Sequence, residues 1–450
     1  MKKYIKTLLT YLLMLFLFAC TQFVEVDKLI DRLHEKEVFK DEPTANSAIL
    51  GLYQNIWSSG VLTNMMVDNA LVSGDILPYG TASSNTYYTN ILEPTNTTLP
   101  WSKHYRTIYK ANRVIEGLAN TTGLSDMVRS RYAGEAHFVR AYSHFMLTNL
   151  YGEIPIILTS DVEVNRKASR MPVKAIYDQL VADLKEAQVL LLAGSNDSLD
   201  KSRASYWSAT ALLSRIYLYM QDYANAETEA DKIIQSGRFQ LLSPGERVFA
   251  TNSKEVIWQW ANNSTQANSV ASRFLFTSTP VNICTDFLLD AFEEDDVRRD
   301  NWIRTAPYGA GTVSIPYKFT SAAAGSDECY AAIRLAELYL IRAEARMMQG
   351  DYESGIADIN LIRQFHGGLS NPLPIPIDRE SAVTIVLQQR RVELFTEEGH
   401  RWFDLKRTGR LDATMAIEKP NTWNSWAALY PILYSDIQQN PNLTQNPGYE

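Results

Sequence analysis

Cysteine is scarce in this chain: three among 450 residues, too few for a disulfide framework or a cysteine-rich zinc module. Histidine is sparse too. The six, His34, His104, His137, His144, His366 and His400, show neither the H-E-x-x-H nor the H-x₃-H spacing that seats a metal. His137 and His144 lie seven apart on one stretch, which on a helix reads as packing. A Gly-rich phosphate loop and a G-x-S-x-G nucleophile elbow are both missing, so neither a cofactor nor a metal is expected. Basic charge is in deficit, with 43 Lys+Arg against 51 Asp+Glu, which argues against a nucleic-acid partner held through phosphates. Long apolar runs are lacking as well, since none reaches the roughly 20 residues of a membrane-spanning helix. What remains is 46% hydrophobic and 21% charged, the balance of an ordinary globular body with a sizeable core.

The N-terminus has a pattern of its own. Lys2, Lys3 and Lys6 precede an apolar run from Leu8 to Ala19 that stops at Cys20, the layout of a secretory signal. Leu17-Phe18-Ala19-Cys20 is similar to a bacterial lipoprotein signal, which implies cleavage after residue 19 and acylation of Cys20. Several acyl chains give stable anchoring where one does not. A plain cleaved signal that happens to contain a cysteine is the alternative. Loss of residues 1–19 removes three Lys and no acid, taking the formal charge from −8 to −11. Cys284 and Cys329 are then left either to pair or to stay as buried thiols.

The body reads as mainly helical. Residues 20–42 are expected to be an extended, lipidated tether. The helical region 43–236 comes next, then 237–450 with a variable insert and a C-terminal region, the two forming one intertwined unit. Helices are predicted from Pro43 to Trp57, Ser102 to Leu118, Asp126 to Tyr151 and Pro172 to Leu192. Apolar residues recur at helical spacing there, as in Ala48, Ile49, Leu52 and Ile56. Tyr105, Ile108, Tyr109 and Val114 fall near one side of the second. Between the first two, residues 59–100 read as a long polar loop, a kind that is often functional. Two helix pairs, 203–219 with 222–236 and Ala331–Met348 with Tyr352–Gln364, share an Asp-Tyr at the turn, 129 residues apart. That register also aligns Ala226 with Gly355, small residues that let helices approach, as in a tetratricopeptide-type hairpin. Any antiparallel helix pair is the plainer alternative. Glu255–Trp260 and Thr312–Phe319 read as short strands, with Trp258 and Trp260 on one face as core. A helix near Ala382–Thr396 and a loop-rich tail close the chain.

Several stretches together resemble one family. Arg390-Arg391-Val392-Glu393-Leu394-Phe395 is followed by Glu398-Gly399-His400-Arg401-Trp402-Phe403-Asp404-Leu405-Lys406-Arg407, and the tail reads Asn440-Pro441-Asn442-Leu443-Thr444-Gln445-Asn446-Pro447-Gly448-Tyr449. With Ile333–Ala345 and Glu135–Tyr142 upstream, these motifs resemble the SusD/RagB outer-membrane lipoproteins of Bacteroidetes. Gln389 departs from the Glu common in that family, and Glu25 and Asp27 do not make the acidic run that often accompanies surface export. The resemblance implies a mainly α, SusD-like fold, with four tetratricopeptide-like helix pairs on one side and variable loops with short strands on the other. It also implies non-catalytic capture of a glycan, or in some members a peptide. The bound material would be passed to a SusC-type TonB-dependent transporter in the outer membrane. A helix-repeat scaffold for a surface complex is the runner-up.

Candidate residues follow from the chemistry of sugars, whose C–H faces stack on aromatic rings while their hydroxyls need polar partners. The expected ligand set is Asn85, Tyr87 and Tyr88 in the long loop with Asp75 and Tyr79 nearby, and a second set of Trp302 and Tyr308. Trp101, at a helix start, suits either binding or core. Glu393, Glu398, Arg401 and Asp404 could be read as catalytic carboxylates with an arginine clamp, but a structural ion-pair network is the expectation. Glu293-Glu294-Asp295-Asp296 with Arg298-Arg299 reads as a solvated charge run.

Overall fold

The computed structural model describes residues 35–58, 60–194, 200–260, 267–276 and 278–450. The signal segment and Cys20 lie outside them. Counting helices of eight residues or more, α1 is Glu42–Ser58, α2 Trp101–Ala119, α3 Asp126–Tyr151, α4 Val173–Ala193, α5 Tyr206–Tyr219 and α6 Tyr223–Gln235. Then come α7 Leu335–Met348, α8 Tyr352–Phe365, α9 Arg379–Leu394, α10 His400–Arg407 and α11 Leu411–Glu418. From α1 to α8 each helix packs on the next, so four consecutive pairs form one continuous layer.

Local chemistry sets the ends of these helices. Ser125 caps α3 by accepting from the Val128 amide, and Gly152 ends it at φ 75°. The two hairpins aligned in sequence share their turn geometry. Asp222 (φ −85°, ψ 75°) accepts from the Asn225 amide, and Asp351 (φ −88°, ψ 74°) accepts from the Ser354 amide. The residue before each cap is left-handed, Gln221 at φ 60° and Gly350 at φ 95°. The matched small residues sit where helices touch. Ser214 donates to the Ala226 carbonyl at 2.8 Å, and a Cβ on Gly355 would stand 2.8 Å from the Ala343 carbonyl oxygen.

Strands come in three antiparallel pairs. β1 (Ile76–Pro78) pairs with β3 (Asn282–Cys284), β2 (Val256–Trp260) with β6 (Tyr330–Arg334), and β4 (Ile303–Tyr308) with β5 (Gly311–Pro316). Trp258 and Trp260 are buried with ring centres 4.5 Å apart, and Trp258 meets Phe138 and Tyr142 of α3 edge-on.

Several expectations are corrected. The helix predicted from Ala331 begins only at Leu335, because residues 330–334 complete the ladder that β2 leaves open. The tail adds α10 and α11, helices of eight residues each and too short to stand out by period. In the loop 59–100, residues 61–72 are helical turns, mostly buried. The expected extended tether has a helical turn at Glu35–Val38. Next to it Phe39 is buried so tightly on α2 that a Cβ on Gly117 would stand 2.1 Å from its ring. Thr121 donates to the Phe39 carbonyl at 2.6 Å. Cys284 and Cys329 are both free and buried, and burial raises the Cys329 thiol to about 12.

Candidate functional site

Tyr79 and Tyr308, expected in separate sets, come together. β1 carries Tyr79 at its end, where its amide donates to the Val281 carbonyl at 3.0 Å and extends the β1–β3 pairing by one step. β5 lies against β3, which brings the tip of the β4–β5 hairpin, and with it Tyr308, to the same edge. The two rings meet edge to face at 5.1 Å. Phe276 adds a third ring 6.0 Å from Tyr308, and the Tyr308 hydroxyl donates to Thr279 Oγ1 at 3.5 Å. Tyr79 is exposed, while Phe276 and Tyr308 are half-buried. This open cluster of rings, with a hydroxyl at its edge, suits stacking on a sugar face. Phe276 and Thr279 were missed from sequence because nothing in a Phe-x-Phe stretch shows which ring is left uncovered.

The other expected ligand residues lie elsewhere. Asn85 uses its side-chain carbonyl to accept from the Tyr88 amide at 2.9 Å. Tyr88 is half-buried beneath the Lys419 ammonium, 4.7 Å from its ring centre. Tyr87 is buried against Tyr430, and burial raises its hydroxyl pKa. Asp75 is buried and accepts from Arg401 at 3.0 Å and Arg391 at 3.1 Å. Trp302 is buried among Phe249, His366 and Lys318. Trp101 is likewise buried, between Tyr105 and Tyr151.

A buried polar network lies behind β2 and β6. Arg334 donates to Glu255 at 3.0 Å and to Glu397 at 2.8 Å, and pairs with Glu393 at 2.5 Å. His366 bridges Glu393 at 2.7 Å and Glu255 at 2.9 Å. Arg298 binds Asp296 and Glu393 from the other side, and Lys318 reaches Glu397. Burial works against the His366 charge, but the two flanking carboxylates outweigh it and raise its pKa to about 9. Glu255, His366 and Glu393 offer ligand atoms within 4.8 Å of one another. A guanidinium and an imidazolium already supply the positive charge there, so the trio does not fit a cation.

The run from Glu293 to Arg299 is therefore not simply solvated. Asp296 and Arg298 are buried in this network, and Glu293 pairs with Arg363 at 2.5 Å. Of the residues weighed as catalytic, Glu393 serves the network and Glu398 accepts from the buried Tyr142 hydroxyl at 2.5 Å. Asp404 binds Arg390 and Arg407, and Arg401 binds Asp75 and Glu418. They are interior ties with four different destinations.

Helix layer, strand pairs and buried motif residues can now be set beside known proteins. A family model described as starch-binding and associating with the outer membrane matches residues 25–218, and the SusD family model matches residues 301–449. The chain belongs to the SusD/RagB family. Among relatives, SusD-like protein P25 of Formosa agariphila is 23% identical over 99% of both chains. The starch-binding protein SusD of Bacteroides thetaiotaomicron is 23% identical over 74% of this chain and 75% of its own. A SusD superfamily structure from the latter organism superposes with a TM-score of 0.76 at 24% identity, covering 90% of this chain and 99% of that one. A laminarin-binding SusD-like protein gives a TM-score of 0.74 at 21% identity, over 91% and 100%. The SusD-like fold and its mainly α character hold throughout. Among the described residues no helix is long and apolar enough to cross a membrane.

Proposed function

We propose that this SusD/RagB-family protein binds a glycan without turning it over and delivers it to a SusC-type TonB-dependent transporter. Acylation at Cys20 would hold it at the outer membrane, facing outward. The observation that carries the reading is the uncovered ring cluster of Tyr79, Phe276 and Tyr308 at the edge of the strand pairs. Starch-binding and laminarin-binding relatives support the ligand class. The non-catalytic part rests on the carboxylates of the C-terminal motifs, which are spent in buried pairs.

Affinity electrophoresis and calorimetry against starch, laminarin and other polysaccharides test this. Saturable binding is expected, weakened at least tenfold in a Tyr79→Ala/Tyr308→Ala variant with an unchanged melting temperature. Uniform failure to bind would favour the scaffold role, binding of peptides alone would favour a peptide carrier, and release of shortened sugars would show an enzyme.

A further inference from the structure

A second concavity, of about 410 Å³, opens between α2, the segment after α3 and the C-terminal tail. That volume lies within the roughly 300–1,000 Å³ of small-ligand pockets. Tyr105 and Tyr109 stand one helical turn apart on α2 and line it with half-buried rings. Both are held from behind. Trp101 packs on Tyr105 at 4.9 Å, and the Tyr105 hydroxyl donates to the Pro155 carbonyl at 2.9 Å. The Tyr109 hydroxyl accepts from Arg113 at 3.1 Å.

The tail wall is fixed as well. Asn440 donates to the Ala168 carbonyl at 2.8 Å, and Asn442 donates to the Lys167 carbonyl at 2.7 Å. This wall presents Asp436, half-buried, whose carboxylate accepts from the Ser102 hydroxyl at 3.5 Å. The side chains of Arg106 and Gln439 line the pocket with no hydrogen bond or ion pair among the described residues. The lining carries charges of both signs, Arg106 and Arg166 with Asp436, and Arg166 is already paired at 2.7 Å with Glu163 outside the pocket. An ion of either sign would meet a like charge. A neutral polyol would donate to Asp436, accept from Arg106 and lay a C–H face on a tyrosine ring.

We infer that this pocket is a second saccharide site, for a short neutral oligosaccharide, separate from the Tyr79–Tyr308 cluster. It extends the glycan reading to a chain that holds sugar at two places. The test uses the full-length Tyr79→Ala/Tyr308→Ala variant, which lacks the first site. It is titrated by calorimetry and saturation-transfer NMR with maltotriose, laminaritriose and cellotriose. Binding of at least one trisaccharide is expected to persist and to fall at least tenfold on adding Tyr109→Ala and Asp436→Asn. Both residues are half-buried, and an unchanged melting curve checks the fold. No binding to the first variant, or binding that survives the added substitutions, overturns the second site. Titration of the unmodified protein reports separately on the general glycan reading, so the two can fail independently.

Discussion

At the scale of single residues, His366 carries the sharpest consequence. Its imidazolium is held between Glu255 and Glu393, and its pKa is raised to about 9 against 6.5 for an ordinary histidine. A group raised in the folded state contributes stability that is complete below its unfolded pKa and is lost as pH rises through the folded one. Stability from this site is therefore present near pH 6 and disappears by about pH 10, an effect on the order of 3 kcal/mol. Melting temperatures from pH 6 to 10 should fall, and the fall should be shallower in His366→Gln, itself less stable at neutral pH. A flat profile in the parent protein would contradict the network. The sequence could not show this arrangement. Glu255, Arg334, His366 and Glu393 are far apart along the chain, and burial decides whether such residues bind each other or water. The same limit explains Tyr79 and Asp75, four residues apart, one uncovered and the other clasped by two arginines. Composition of a loop suggests that aromatic rings are available. It does not say which way they turn.

Among elements, the helix hairpins were the most legible part. Their apolar spacing, caps and breakers act locally, so α3 was read from Asp126 to Tyr151 as it stands. The alignment of Asp222-Tyr223 with Asp351-Tyr352 extends to cap dihedrals and to the left-handed residue before each cap. Gly355 is the close-contact position of its hairpin. A Cβ there would press on Met347 and on the Ala343 backbone, so Gly355→Ala should lower stability by about 1–3 kcal/mol, measurable by denaturant melts. A neutral result would mean that α7 and α8 can separate at no cost. The strands were less legible because they are short, and β1, β2, β3 and β6 exist through partners far along the chain. β6 in particular reads as the first turn of a helix until β2 is beside it.

For the molecule as a whole, ties run across the division between residues 43–236 and 237–450. Arg215 binds Glu337, Arg342 binds Asp231, and Tyr142 donates to Glu398. All three link residues before 236 to residues after 237. Calorimetry should accordingly give one cooperative transition, and residues 43–236 expressed alone should not fold. Two separate transitions would show that the halves are independent. The motifs of the SusD/RagB family were visible because they lie in this shared interior, where each residue has a fixed partner. The ring cluster and the pocket were not, since their surfaces are assembled from loops and tails that meet only after folding.

The seating of Phe39 on Gly117 bears on how the body carries load. Tension along the chain from its N-terminal side arrives first at this plug, and the Thr121 hydrogen bond beside it shares the pull. The force then passes into α2 and the turn before α3, at the foot of the helix layer. Neither the ring cluster nor the β4–β5 hairpin lies on that path. A body tugged from this corner would swing about a pivot beneath α2 while the edge that carries the ring cluster kept its shape.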